Sequence, residues 1–160
     1  MSLRIGHGID AHRLVAGRPL RLGGVDIRHA LGLEGHSDGD VVAHALVHAL
    51  LAAAGAGDLG TRFPSTDARW RGADSLDLVR EAARLAAATG LRLESAQVVV
   101  IAQAPQLSEY LEAMAAALAG AAASPPGTVR VTATSCDGLG FTGRGEGIAA
   151  SAVVLLASVS

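Results

Sequence analysis

The interior of this chain has to be assembled from small aliphatic side chains. Half of its 160 residues are apolar, yet only 2% are aromatic, so alanine, valine and leucine must fill the core. Small side chains let helices and strands approach closely, but each buries little area, so burial is spread over many contacts. This length suffices for one domain with a substantial core, and residues 1–160 are expected to form a single one. An alanine-rich domain of this size also gains from a subunit interface that completes its core.

Charge narrows the function classes. The 13 basic residues, all arginine, and 15 acidic residues give a net charge of −2, which argues against nucleic acid as a partner bound by bulk charge. An anionic ligand must then be held by local devices: arginine, a metal ion or backbone N–H groups. The single cysteine, Cys136, excludes an internal disulfide and fits a reducing compartment. No apolar run approaches the roughly 18 residues that span a bilayer. Residues 41–54 and 113–123 read as core helices instead. The segment Met1–His7 lacks a signal-peptide core, so no membrane partner and a cytoplasmic location are expected.

Along the chain, 3–10 reads as a strand ending in a polar cluster. Residues 18–28 read as a hairpin turning at Gly23-Gly24, and 29–38 as a loop. A helix follows from about Gly39 to Ala54, with cap signals at Ser37, Asp38 and Asp40 and stop signals at Gly55 and Gly57. Residues 57–73 form a long loop. A second helix covers 75–89, capped by Asp74 or Ser75. A strand at 92–103, a helix at 107–122, a strand at 128–136, a glycine-rich loop and a strand at 147–157 complete the order. Because helices do not alternate strictly with strands, the expected class is α+β: two layers, a mixed β-sheet with helices packed on one face.

Four segments can carry chemistry. In Asp10-Ala11-His12, residues i and i+2 of a strand point to one side, so a carboxylate and an imidazole converge; a solvated strand end has the same pattern. In His36-Ser37-Asp38-Gly39-Asp40 and onward, Asp40, His44 and His48 stand at i, i+4 and i+8 along one helix side. Two histidines one turn apart are a possible zinc pair; a polar face with merely exposed histidines is the reading that this spacing alone favours. No Glu follows His44, so the His-Glu-x-x-His protease signature is absent. In Gly57-Asp58-Leu59-Gly60 and Phe63-Pro64-Ser65-Thr66-Asp67, glycines flanking a carboxylate suit close backbone approach to a ligand, or an ordinary capped turn. Finally, 134–147 holds five glycines and four hydroxyl- or thiol-bearing residues before the last strand. Such a loop can offer N–H groups to phosphates, with Arg144 as a forked donor, or serve as a plain connection. It lacks the Gly-Lys-Ser/Thr of a Walker loop.

Together these blocks resemble the 2-C-methyl-D-erythritol 2,4-cyclodiphosphate synthase family of the non-mevalonate isoprenoid route. The matching stretches are RIGHGIDAH at 4–12, HSDGDVVAHAL at 36–46, GDLGTRFPSTD ending at 67, RGADS at 71–75, IAQAP at 101–105 and LGFTGRGEGIA at 139–149. They fall in family order over essentially the whole chain. The resemblance implies a homotrimer with active sites between adjacent subunits. It implies a lyase that closes 4-diphosphocytidyl-2-C-methyl-D-erythritol 2-phosphate into the cyclic diphosphate and releases CMP.

It also implies a site. Asp10, His12 and His44 fall on the zinc ligands, one ion per subunit, zinc or another divalent transition metal. Asp137 falls on the ligand of a second ion, magnesium or manganese, that arrives with substrate. His36 and Ser135 fall where the family stabilises the transition state. Ser37, Asp58, Leu59, Gly60 and the loop Phe63, Pro64, Ser65, Thr66, Asp67 are expected to hold the methylerythritol phosphate. The segment 102–108, with Ala102, Gln103, Ala104, Pro105, Gln106 and Leu107, is expected to cradle the cytidine diphosphate from the neighbouring subunit together with Thr134 and Ser135. Phe141 and Arg144 align with ligand contacts, and Arg144 with Glu146 lies near the threefold axis beside an apolar cavity. Departures from the family pattern are Asp137 for a common glutamate, Gln106 for a common lysine, His48 for a common aspartate, and Thr134-Ser135-Cys136 for a threonine run. Two other readings compete: a zinc phosphohydrolase using Asp58 as base, and a non-enzymatic trimer that binds phosphorylated ligands.

Overall fold

A computed structural model describes residues 1–159. Its first strand, β1 (Leu3–Val15), sets the geometry of everything that follows. Even-numbered positions Gly6 and Gly8 are buried and Asp10 and His12 half-buried, whereas Leu3, Ile5, His7 and Ile9 on the odd positions are exposed. The strand therefore presents glycine, glycine, aspartate and histidine in turn to the protein interior.

The helix that receives this face is α1 (Val41–Ala54). A methyl group on Gly6 would sit 2.0 Å from the Ala49 carbonyl oxygen, and one on Gly8 would sit 2.3 Å from that of Ala45. The strand and helix thus touch backbone to backbone, which only glycine permits. They run in opposite directions. Two strand residues advance about 6.8 Å and four helix residues about 6 Å. Stepping from Gly6 to Gly8 to Asp10 therefore moves from Ala49 to Ala45 and on to the first turn of α1.

Three short strands follow β1 in two places. β2 (Leu20–Leu22) and β3 (Val25–Ile27) form the expected hairpin, and β4 (Gly32–Leu33) pairs with the end of β1. The main sheet has the order β4-β1-β7-β5-β6, completed by β5 (Leu91–Ile101), β6 (Val129–Thr134) and β7 (Gly147–Ser158). Only β5 and β6 are parallel; the other neighbours are antiparallel. α1 covers β1, β7 and β5, α3 (Ser75–Ala88) packs on α1 and β5, and α4 (Leu111–Ala121) packs on β6. The mixed α+β architecture with helices on one face is the one the element order predicts.

The core is aliphatic. Leu46, Leu50, Leu51, Val98, Met114, Leu118, Ile148 and Leu156 are fully buried, each worth roughly 1.5–3 kcal/mol of transfer free energy. α1 starts at the cap Asp40, whose carboxylate accepts from Ala43 N at 3.0 Å. The same carboxylate also accepts from Gly23 N at 2.8 Å and Gly24 N at 2.7 Å, so one buried side chain ties the hairpin turn to the helix start. Burial pushes the Asp40 carboxyl pKa up, and the N–H groups of Ala43 and Gly24 work against that shift. Gly55, at φ 65°, closes the helix in the left-handed conformation.

Several boundaries differ from the sequence reading. β1 runs on to Val15 because β4 and β7 both offer it partners, so Asp10 and His12 lie within the strand rather than at its end. The 29–38 loop contains β4. The 57–73 loop contains the single turn α2 (Leu59–Arg62) and a 3-10 turn at Ala68–Trp70, each started by an aspartate cap, Asp58 and Asp67. The helix expected from 107 begins as a 3-10 turn at Ser108–Tyr110. The glycine-rich loop carries a short turn of helix, α5 (Gly140–Gly143).

Candidate metal centre

Asp10 and His12 reach from β1 to the side chain of His44 on α1. Asp10 Oδ2 lies 2.7 Å from His12 Nε2 and 3.1 Å from His44 Nδ1, and the two nitrogens are 3.1 Å apart. Three atoms able to bind a metal thus form a nearly equilateral triangle. Tetrahedral ligands on zinc, with bonds of about 2.0–2.1 Å, stand about 3.3 Å apart, so the triangle needs to open only slightly. Among the described residues, this is the one such group of histidine, cysteine and carboxylate side chains.

The outer nitrogens fix which ring atoms face inward. His12 Nδ1–H donates to the Glu34 carbonyl at 2.6 Å. His44 Nε2 lies 2.9 Å from Ser75 Oγ and 3.0 Å from Ser37 Oγ. Each imidazole therefore turns its other nitrogen, Nε2 of His12 and Nδ1 of His44, toward Asp10. A carboxylate oxygen and two ring nitrogens facing one point can hold a cation between them, and outer hydrogen bonds of this kind accompany metal-bound histidines. The donor set fits a divalent metal with one coordination position left open.

The charges agree. Burial works to raise the Asp10 carboxyl pKa, but hydrogen bonds and charge from His12 and His44 outweigh it and hold it well below the usual carboxylate range. Burial lowers the His12 pKa, while the hydrogen bond and charge of Asp10 raise it by more, leaving it above its ordinary value. Asp10 is thus a fixed anion at the floor of the site.

The ligand cluster opens into a cavity of about 340 Å³. His36, Ser37, Leu59, Gly60, Phe63, Pro64, Ser65 and Thr66 line it together with His48, Trp70 and Leu78. Asp58 and Asp67 stand just outside this lining. Asp58 accepts from Thr61 N at 2.8 Å, and Asp67 is held by the Arg69 guanidinium. A second depression, about 450 Å³, is lined by the whole segment Ala102–Leu107 with Thr134 and Ser135. It shares no residue with the first. Phe141 lines a third hollow with His12 and Glu146, and Arg144 is paired with Glu146 at 2.9 Å. Asp137 is exposed at φ 51°, with Ser135 Oγ donating to it at 3.4 Å.

Of the readings that helical spacing left open for His44 and His48, the zinc pair is not the one the fold assembles: His44 meets Asp10 and His12, and His48 contributes no atom to the cluster. His44 has its hydrogen-bond partner elsewhere than at position 48. That partner is Ser75, whose hydroxyl donates to Asp38 Oδ1 and whose N–H donates to Asp38 Oδ2 at 2.9 Å. Ser75 read from sequence as a cap candidate. Its place in the RGADS block was the available signal, but block position does not reveal a contact 31 residues away in the chain.

The comparisons with known proteins agree with this geometry. The YgbB family model matches residues 3–157. The 2-C-methyl-D-erythritol 2,4-cyclodiphosphate synthase of Vibrio cholerae is 51% identical over 154 residues, covering 96% of this chain and 98% of that protein. Among solved structures, the bifunctional IspDF of Campylobacter jejuni superposes with a TM-score of 0.95 at 38% identity over 99% of this chain, which spans 43% of that longer one. A 2C-methyl-D-erythritol-2,4-cyclodiphosphate synthase in its CDP-bound form superposes with a TM-score of 0.88 at 42% identity, covering 96% of this chain and all of the other.

Proposed function

This chain belongs to the YgbB family, and on that premise we propose that it converts 4-diphosphocytidyl-2-C-methyl-D-erythritol 2-phosphate to 2-C-methyl-D-erythritol 2,4-cyclodiphosphate and CMP. The observation that carries this is the Asp10–His12–His44 triangle with both imidazoles hydrogen-bonded through their outer nitrogens, in a chain about half identical to synthases of that name. An oxygen of the 2-phosphate bonds to the β-phosphorus, the bond from that phosphorus to the oxygen bridging it to the α-phosphate breaks, and CMP leaves with the bridging oxygen. The attacking phosphate is already ionised at neutral pH, so the protein's task is to position and neutralise charge.

Asp10, His12 and His44 hold the ion, zinc in this reading, one per subunit. A divalent ion there supplies charge neutralisation and polarises a phosphate oxygen. His36, on the cavity wall beside Ser37, and Ser135 serve the transition state. Asp58, Leu59, Gly60 and the loop 63–67 bind the methylerythritol phosphate. The depression at 102–107 with Thr134 and Ser135 takes the cytidine diphosphate, and Asp137 holds a magnesium or manganese ion that comes with it. Phe141 and Arg144 complete the ligand contacts. Residues 1–160 act as one unit.

The active assembly is a homotrimer in this reading. The sheet face turned away from the helices exposes Ile5 at 76%, Ile9 at 65%, Leu3 at 54% and Val153 at 47%, a patch of the kind that subunits cover. A partner's 102–107 segment would complete the metal cavity, which in one chain is separate from that segment.

Protein supplied with zinc and magnesium is expected to release CMP and cyclic diphosphate in equal amounts, read by chromatography, with His44→Ala inactive. Free phosphate as the product would favour a phosphohydrolase instead. The absence of CMP from folded, metal-loaded protein, with His44→Ala indistinguishable from the parent, would sink the proposal. For the second ion, Asp137→Ala should raise the magnesium concentration needed for half-maximal turnover. An unchanged magnesium curve would remove Asp137 from the site.

A further inference from the structure

Behind Ser75 stands an arginine that the reaction does not use. Arg21, on β2, sits among three aspartates: its Nη1 donates to Asp26 at 3.2 Å, its Nη2 donates to Asp74 at 3.3 Å, and its Nε lies 3.4 Å from Asp38 Oδ2. That Nε is buried and has no hydrogen-bond acceptor among the described residues. It faces Asp38 as a charge rather than as a directed donor. Burying an arginine nitrogen in this way costs free energy, so its placement calls for a compensating role. Burial lowers the Arg21 pKa, and the charges of Asp74, Asp26 and Asp38 raise it by more, so the guanidinium is a permanent cation.

From Arg21 a continuous path leads to the metal ligands. Asp38 is largely buried, with 16% of its side chain exposed, and accepts from Asp40 N at 3.0 Å, from Ser75 N at 2.9 Å and from the Ser75 hydroxyl. The Ser75 hydroxyl donates to Asp38 Oδ1, and the same carboxylate takes the Asp40 and Ser75 N–H groups, so Asp38 stands as the acceptor and Ser75 as the donor between them. With its proton committed to Asp38, Ser75 Oγ can only accept from His44. His44 then carries its proton on Nε2 and shows Nδ1 to Asp10 and His12. Ser37 Oγ also lies 3.0 Å from His44 Nε2, but among the described residues its only further side-chain partner is Ser75 Oγ at 3.3 Å, so no carboxylate there fixes the direction of its own proton.

We propose that Arg21 is a positioning residue of the metal centre, acting through Asp38 and Ser75 to lock His44 in the tautomer that presents Nδ1. The inference rests on the reading of Asp10, His12 and His44 as metal ligands. The chain spans four side chains from a hairpin at the edge of the fold to a ligand on α1. The same guanidinium ties Asp26 of the hairpin and Asp74, the cap of α3, to Asp38, so it holds the path in register. Outer-shell partners of metal-bound histidines typically contribute about 10–100-fold in metal affinity.

The experiment is zinc titration of the full chain against a chromophoric chelator, with histidine tautomers read by nitrogen-15 NMR on the zinc-free protein. Arg21→Gln, which keeps a packed stem without the charge, is expected to weaken zinc about tenfold and to move His44 away from a single Nε2–H form. Arg21→Lys, which keeps the charge, should restore both. In the Ser75→Ala background, Arg21→Gln should add nothing, because the path is already cut. Parent-like zinc affinity in Arg21→Gln, or losses that add in full with Ser75→Ala, would overturn the proposal. So would an unchanged His44 tautomer, which is read independently of overall stability. Failure of the underlying metal reading looks different: the parent would not bind zinc, or His44→Ala would bind it as the parent does.

Discussion

At the scale of single residues, the site is a question of which atom of each ring faces inward. His12 gives Nε2 because Glu34 O takes its Nδ1–H, and His44 gives Nδ1 because Ser75 and Ser37 take its Nε2–H. The two histidines therefore turn opposite nitrogens to Asp10. Asp10 is the charged member. Asp10→Asn keeps the shape and removes the anion, and it should cost more zinc affinity than the roughly 10–100-fold attached to an outer partner. The same change should lower the His12 pKa measured by NMR in zinc-free protein, because the hydrogen bond and charge that raise it are gone. A His12 titration unaffected by Asp10→Asn would show that the carboxylate does not face it.

At the scale of elements, the metal centre depends on a close approach of β1 to α1. Gly8→Ala would press a methyl group against the Ala45 carbonyl and the His48 Cβ. Overpacking of this kind costs about 1–3 kcal/mol, and urea unfolding should show it. Because Asp10 and His44 lie just beyond this crossing, Gly8→Ala should also weaken zinc. Gly6→Ala, one step further from the ligands, should destabilise comparably while changing zinc affinity less. Equal zinc losses from both would mean that stability alone governs the site. Asp40 works at the same scale: by accepting from Gly23, Gly24 and Ala43, it fixes where the hairpin meets α1, and hence where Arg21 meets Asp38.

At the scale of the whole molecule, helices cover one sheet face and leave the other apolar and open. Ile5 and Val153 are on that open face, whereas the metal ligands are on the covered one. Ile5→Asp with Val153→Asp should therefore convert the proposed homotrimer to monomers, read by sedimentation. Zinc binding should persist, since the three proposed ligands come from one chain, and CMP release should be lost with the proposed intersubunit site. A double variant that stays trimeric would place the interface elsewhere. No helix among the described residues is long and apolar enough to cross a membrane.

What the chain determines by itself is what neighbouring residues can settle between them. The Asp40 cap and the Gly55 stop frame α1, Gly23-Gly24 turns the hairpin, and the i, i+2 spacing puts Asp10 and His12 on one side. Each is a short-range steric or hydrogen-bonding rule, so each is legible in sequence. Family resemblance extended this to the ligand set, but not to its physical basis. Local spacing pairs His44 with His48, because helical periodicity reports only neighbours one turn away. Only the folded crossing of β1 and α1 decides that His44 turns to Asp10, 34 residues earlier, and that Ser75 with Asp38 and Arg21 stands behind it. Those partners are chosen by where two glycines let a strand touch a helix, a distance that no spacing along the chain encodes.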